Sequence, residues 1–564
     1  MANELYEKRR EQMFPKLSAL QLSRLAAHGR EMSIRSGDVL VEPGQSHHDL
    51  FVVLEGSLEV SLPGMRGEEQ VTLLQPGDFA GEMSTLRGIP GFVRIRVREG
   101  GTVLAIPEDN VRNVVQTDAE ISEMFMRAFI LRRMGLVASG QSEATLIGSR
   151  YSPGTLRLRE FLTRNGYPYI NVDVEADSGV QALLERFHVE VEEIPVLIGR
   201  CGRVFRNPTI QQVAEFLQMN PAIDDTRVYD LVVVGAGPAG LAAAVYGASE
   251  GLDVLVVEAG APGGQAGTSS RIENYLGFPT GISGMALAGR ALVQTQKFGA
   301  NVNVACHAVR LRCDTRPYAL ELSDGRTVQT SSIIIATGAK YRNPEIENLS
   351  KFVGAGIYYA ATHLEAKLCE GEEIIIVGGG NSAGQAAVFL AGGCRHVHIC
   401  VRGDGLAESM SRYLIRRIEE NPRITLHTRT RITALEGGDH LQRIGWNDAR
   451  TGKIEYRDIG SVFMMTGATP NTAWLDGCVA LDDKDFVRTG TELRAEDLTA
   501  AAWLLPRAPH LLETSLPGVF AVGDVRSGSV KRVAAAVGEG SICVQFVHRT
   551  LRELSVPVRQ MAAA

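Results

Sequence analysis

The segment from Asp230 to Leu241 constrains this chain more than any other: an apolar run, Leu231 to Val234, leads straight into Gly235-Ala236-Gly237-Pro238-Ala239-Gly240. A strand, then G-x-G-x-x-G, then a helical pattern over Leu241 to Glu250 is the opening of a dinucleotide-binding βαβ unit. Each glycine has its own task. Gly235 makes the tight turn, Gly237 lets the backbone approach a pyrophosphate, and Gly240 lets helix and strand pack closely. The helix N-terminus offers N–H groups and the positive end of its dipole to the phosphates. Gly251 ends the helix, and a second predicted strand, Asp253 to Val257, closes on Glu258, where an acid would bond the adenosine ribose hydroxyls. The bland alternative is a glycine-rich turn in an unliganded α/β domain.

A second strand-to-helix motif opens near Glu372: Ile374 to Val377, then Gly378-Gly379-Gly380-Asn381-Ser382-Ala383. Its following strand, Val397 to Val401, ends in Arg402 and not in an acid. An acid there would repel a ribose 2′-phosphate, whereas arginine can pair with one. NADPH is therefore expected ahead of NADH, with Arg412 assisting from the next helix. The bland alternative for Arg402 is an exposed loop arginine. Two such sites in one chain predict electron transfer between two dinucleotides, a flavin (FAD) at the first and a nicotinamide at the second.

At 564 residues the chain exceeds one compact core, and several domains are expected. A formal net charge of −7 gives no electrostatic reason for nucleic acid or an anionic membrane as partner. The segment Met1 to Lys16 is charged, and no run approaches the roughly 18 apolar residues of a bilayer span, so a cytoplasmic protein is expected. The eight cysteines show neither C-x-x-C nor metal-ligand spacing, and buried thiols are expected for most.

The order of further landmarks resembles the thioredoxin reductase family over residues 226–555. Gly263-Gly264-Gln265 follows the first unit, Ala336-Thr337-Gly338 marks a crossover into an inserted domain, and Thr466 to Asn471 marks the return. Gly518 to Asp524 then ends in Gly523-Asp524, and Arg532-Val533-Ala534 follows. The resemblance implies that Gly264, Gln265 and Asn274 contact the flavin, that Asp524 meets its ribityl chain, and that Arg532, Val533 and Ala534 close over the isoalloxazine. It also implies an FAD domain (226–343 and 466–564) split by an NAD(P)H domain (344–465), and a homodimer.

The departure from the family matters as much. Its redox C-x-x-C would fall where this chain has Ala360-Ala361-Thr362-His363. A dithiol relay needs one thiolate to attack and one to resolve. Neither is present there, and Cys369 has no cysteine close to it in sequence. His363 is a weak candidate for a proton donor. The expected acceptor is therefore a small protein or small molecule reduced by the flavin directly. Two rivals stand beside this reading: disulfide reduction through Cys201 or Cys369, and a flavin-based redox sensor or scaffold.

Residues 1–140 resemble a cyclic-nucleotide-binding β-roll, through Gly37-Asp38, Glu42-Pro43-Gly44, Leu54-Glu55-Gly56 and Pro76 to Met83. That family pairs the cyclic phosphate with an arginine, but Gly91 holds the place here and Arg94 is the nearest arginine. Nucleotide binding is thus open, and the alternating Arg94, Arg96 and Arg98 read as a solvated strand face or a docking surface. Residues 141–222 resemble a thioredoxin or glutaredoxin fold, with Ile194-Pro195 as its cis-proline and Ser152 to Thr155 in place of its C-x-x-C. Ser152 reads as a helix N-cap. The expected whole is a multidomain α/β chain: a β-roll, a thioredoxin-like domain, and two Rossmann-like three-layer domains.

Overall fold

The computed structural model describes residues 10–45, 49–64, 67–81, 93–138, 144–175, 193–199, 203–269, 272, 275–341, 346–352, 355–359, 361, 363–438, 440–466, 468–475, 477–503 and 505–555. Gly91, Cys201, Asn274, Ala360 and Thr362, all singled out above, lie outside these residues, as do Glu82 and Gly467 of the quoted motif segments.

The N-terminal unit is a six-stranded antiparallel sheet built on two long strands, Leu50–Gly64 and Arg94–Ile106. Their alternating inward residues close one core around Val53, Leu58, Ile95 and Val103. A second core joins the sheet to the helices Glu108–Thr117 and Ala119–Ala138 through Leu50, Phe79, Val114 and Phe125. The arginine stripe is neutralised within the sheet. Arg94 binds Glu42 at 2.7 Å and also Glu68, while Arg98 binds Glu59 at 3.2 Å. Arg94, the arginine nearest in sequence to the expected phosphate-binding position, is therefore already engaged by two carboxylates.

A small α/β unit follows. Its four-stranded mixed sheet runs Val204–Arg206, Val196–Gly199, Ala144–Gly148, Tyr169–Asp173. The Ile194–Pro195 peptide is cis, as expected. Ser152 is the N-cap residue of the Pro153–Arg164 helix, although its side chain makes no capping hydrogen bond. Thr155, Leu158, Phe161 and Leu162 of that helix are buried.

The first nucleotide unit has a seven-stranded sheet. Asn301–Val304, Val254–Glu258, Val228–Val234, Thr327–Ile335 and Val519–Ala521 are parallel, and Tyr318–Leu322 and Ala308–Arg312 extend the sheet antiparallel. Both faces are covered, which is why its central strands read as unbroken Val/Ile runs. One face packs Leu231, Val233 and Ile334 against helix residues Leu241, Ala244 and Val547. The other packs Val232, Ile333 and Val519 with Tyr318 and Trp474. The second nucleotide unit has five parallel strands in the order Ile357–Tyr358, Val462–Met464, Glu373–Val377, His396–Cys400, Ile424–His427. An antiparallel trio, Thr430–Gly437, Leu441–Asp448 and Ile454–Arg457, covers one side.

The chain passes between these units twice, and the two passages pair as an antiparallel ribbon, Ala339–Tyr341 with Ala468–Pro470. Asn471 clasps its end. Its N–H donates to Gly338 O at 3.1 Å, its Nδ2 donates to Thr337 O at 2.8 Å, and its carbonyl accepts from Thr337 Oγ1 at 2.9 Å.

Candidate functional site

One continuous cleft of about 2720 Å³ runs across both nucleotide units. At the first unit it is lined by Gly235, Gly237, Pro238 and Ala239, at the junction of the Val228–Val234 strand and the Pro238–Ser249 helix. Gly237 is the helix N-cap, and Pro238 fills a first-turn position where no backbone donor is lost to the helix. A Cβ placed on Gly237 would meet only Gly264 Cα, at 4.0 Å, so the open side of this turn has room for a ligand's phosphates to approach the backbone. Gly240 does not line the cleft; it is buried where helix meets strand.

Glu258 sits at the end of its strand on the cleft wall. Its Oε2 accepts from Ala236 N at 2.7 Å and its Oε1 from Gly260 N at 2.8 Å. Each oxygen keeps a second lone pair, which suits two ribose hydroxyls. Gly264, Gln265, Ala336, Thr337 and Gly338 also line the cleft, and Gln265 Nε2 donates to Ala339 O, tying the flavin-side turn to the crossover ribbon. Gly523, Asp524, Arg532 and Val533 complete this half, whereas Ala534 is a correction: it is exposed on the Val533–Ser555 helix and does not line the cleft. Burial pushes the Asp524 carboxyl above its ordinary range, with the Lys531 ammonium opposing the rise. These residues fit FAD by their donors, acceptors and open backbone.

A further wall was not foreseen from the motifs. Leu156, Arg157, Glu160 and Arg164 of the small α/β unit face the same cleft. They lie at helical spacing opposite the buried stripe of their helix. Arg164 donates to Gly264 O at 2.8 Å, and Asn165 Nδ2 donates to Gly260 O at 3.3 Å. The small unit is thus docked on the stretch that follows Glu258, at Gly260 and Gly264.

At the second unit, Gly378, Gly380, Asn381, Ser382 and Ala383 line the cleft between the Glu373–Val377 strand and the Asn381–Leu390 helix. Gly380 is that helix's N-cap, so both nucleotide loops present the same geometry. Arg402 lines the cleft and is exposed. Arg412 is a correction: it is the exposed first residue of the Arg412–Glu419 helix and is not among the lining residues. The loop before it is tied to the cleft wall, Ser411 N donating to Asn381 Oδ1 at 2.7 Å, but the Arg412 side chain itself stays outside the cleft. Arg431, which the motifs did not flag, does line the cleft. His363 is the first residue of the His363–Leu368 helix, whose Glu365 and Leu368 reach the cleft wall.

The strand that delivers Arg402 carries a histidine cluster. His398 Nδ1 lies 3.1 Å from His427 Nε2, its ring lies edge-on to Trp446, and its Nε2 is 3.6 Å from Glu373. Burial, with His427 and His396 alongside, pushes His398 down to about 4. An unfolded histidine titrates near 6.5, so the unfolded chain binds the extra proton between those values. The stability this neutral ring contributes is present above about pH 6.5 and is lost as pH falls towards 4, an effect on the order of 2 kcal/mol. Urea unfolding of this unit, followed by tryptophan fluorescence, should show that loss in wild type and a much flatter profile in His398→Gln. A His398→Gln profile as steep as wild type would refute the assignment.

Most of the described cysteines are buried thiols, as expected, but two pair: Cys313 and Cys478 form a disulfide across 165 residues of sequence. The other described cysteines, Cys306, Cys369, Cys394, Cys400 and Cys543, are buried thiols. Burial pushes Cys306 and Cys400 up to about 12. Cys369 has a neighbour in space, Cys394, with sulfurs 3.7 Å apart, and the hydrogen bond between them, with burial added, holds the Cys369 proton well above the ordinary thiol range. Among the described residues there is no cluster of histidine, cysteine or carboxylate fit for a metal ion, and no helix long and apolar enough to cross a membrane.

A two-lobed flavoenzyme cleft is what this fold and site define, and comparison with known proteins places it. Residues 229–540 match the family model of pyridine nucleotide-disulphide oxidoreductases, and the chain belongs to that family. Within it the chain is of thioredoxin reductase type, a group that works with FAD and NADPH. It is 28% identical to the thioredoxin reductase of Bacillus subtilis over 341 residues, covering 60% of this chain and all of that one. It is 32% identical over 333 residues to NADPH-dependent thioredoxin reductase 3 of Arabidopsis thaliana, covering 57% of this chain and 58% of that protein. The crystal structure of Lactococcus lactis thioredoxin reductase in its FR conformation superposes with a TM-score of 0.51 at 27% identity, over 58% of this chain and 99% of that one. Residues 31–118 match the cyclic nucleotide-binding domain model.

Proposed function

We propose that this chain takes electrons from NADPH and delivers them from FAD directly to an acceptor outside the chain, without a cysteine relay. When bound, FAD accepts a hydride from NADPH and supplies two electrons to that acceptor. The residues prepare this chemistry. The Gly235–Gly240 turn and Glu258 would hold the FAD pyrophosphate and ribose, and Asp524 and Lys531 would flank its ribityl side. The Gly378–Ala383 loop would hold NADPH, and the clasped ribbon at Thr337–Gly338 and Asn471 would serve as the pivot that brings the lobes together.

One observation carries the absence of a relay: the helix that begins at His363 is preceded by Ala360-Ala361-Thr362, where thioredoxin reductases would place C-x-x-C. The described free thiols are all buried and so do not supply a substitute. Anaerobic titration with NADPH should bleach the flavin band near about 450 nm at one equivalent per FAD, with no new titratable thiols. Two additional thiols per chain would defeat the reading. The Cys313–Cys478 disulfide supports one other version, in which that bond accepts the electrons. A Cys313→Ser/Cys478→Ser protein that reduces the same acceptors at the wild-type rate would dispose of it.

A further inference from the structure

We propose that Arg431 is the second cation of the NADPH 2′-phosphate pocket, acting beside Arg402 in the place expected of Arg412. The inference rests on the NADPH reading above and deepens it to a specificity-determining residue.

A ribose 2′-phosphate carries nearly two negative charges and several strong acceptors, so a single exposed arginine is a weak anchor for it. The loop after the His396–Cys400 strand supplies only Arg402, since its neighbours Gly403, Gly405 and Leu406 bear no charge. The structure brings a second arginine from another element. Val401 N donates to His427 O at 2.9 Å, Thr430 N to Val401 O at 2.9 Å, and Arg429 N to Gly403 O at 3.0 Å. These bonds lay the start of the Thr430–Gly437 strand against the Arg402 loop. Thr430, Arg431 and Ile432 all line the cleft. Strand alternation buries Thr430 and Ile432 and leaves Arg431 between them exposed.

Charge accounting separates the arginines gathered here. Arg429 is bound to Asp404, which removes both from the balance. Neither Arg402 nor Arg431 forms an ion pair among the described residues, and both line the cleft. Glu408 and Glu365 are the carboxylates lining the cleft at this unit, and neither is paired with Arg402 or Arg431 among the described residues. A solvated strand arginine would sit in the same register, but it would be indifferent to a phosphate on the bound nucleotide.

That indifference is what the experiment reads. The full-length protein is titrated with 2′,5′-ADP and with 5′-AMP, and the ratio of their affinities measures recognition of the 2′-phosphate alone. Wild type should prefer 2′,5′-ADP. Arg431→Ala and Arg431→Met should each shrink that preference by about tenfold, the scale of one charge-assisted contact, with 5′-AMP affinity and flavin absorbance unchanged. Arg431→Lys should restore most of it, and Arg412→Ala should leave it intact. Steady-state kinetics should agree, with KM for NADPH rising and KM for NADH unmoved. An unchanged ratio in both Arg431→Ala and Arg431→Met would overturn the assignment while leaving the NADPH reading standing. A wild type that binds the two probes equally would overturn both.

Discussion

A Gly240→Ala protein is expected to purify colourless. A Cβ at this position would lie 1.9 Å from Gly235 O and 3.2 Å from Ala336 Cβ. The first neighbour is backbone, in the turn that must present its N–H groups to a pyrophosphate, and no side-chain rotation relieves the clash. Gly235 itself has φ +106°, and a Cβ there would lie 2.4 Å from Ala336 O, so the turn is pinned from the other side as well. The Pro238–Ser249 helix must therefore retreat from the strand, and its N-terminal donors no longer converge on one anion. Overpacking of this kind costs about 1–3 kcal/mol in a core that can adjust, and this one has backbone on both sides. FAD affinity should fall by at least about 100-fold, read as the ratio of flavin to protein absorbance after gel filtration and as a dissociation constant on reconstitution. Gly289→Ala is the control. It lies in the Gly284–Lys297 helix with nothing within 4 Å of its Cβ, and should keep full flavin. Stoichiometric FAD in Gly240→Ala would show that the close approach is not needed for binding.

How much of this was legible in the sequence depends on how local each signal is. The glycine turns were, because backbone approach and helix polarity are encoded within a dozen residues. The Pro238–Ser249 helix and the Val254–Glu258 and His396–Cys400 strands lie within one to three residues of the pattern reading, the usual uncertainty of caps. The sites' flanking charges were less legible. Arg412 follows the motif closely in sequence and Ser411 before it is bonded to Asn381 on the cleft wall, yet the Arg412 side chain is exposed and does not line the cleft. Arg431 lies on a strand of a different sheet, and its nearness to Arg402 is created by three backbone hydrogen bonds that no periodicity announces. Arg164 lies 100 residues upstream of Gly264, the turn it touches, so only docking reveals the wall it forms with Arg157. Cysteine spacing failed for the same reason. Cys313 finds Cys478, and Cys369 finds Cys394, across elements that meet only once the sheets are assembled.

Gly378→Ala is expected to do at the second site what Gly240→Ala does at the first, and so to divide the electron path in two. Gly378 has φ +143°, a conformation L side chains rarely adopt, and its added Cβ would lie 2.2 Å from Met465 O. Met465 cannot yield easily, because its N–H donates to Val377 O at 2.7 Å and Thr466 begins the return crossover immediately after it. The alanine must instead move the loop that leads to the Asn381–Leu390 helix, withdrawing the donors meant for the nicotinamide dinucleotide's phosphates. Strain of about 1–3 kcal/mol, added to lost phosphate contacts, predicts a fall of roughly 100-fold in the rate of flavin bleaching by NADPH. The FAD half is untouched by this change, so the protein should remain yellow and dithionite should bleach it at the wild-type rate. That contrast is the decisive reading, since a general folding defect would lose the flavin along with the NADPH reaction. If NADPH still bleached Gly378→Ala as fast as wild type, hydride would have to enter the cleft by a route other than this loop.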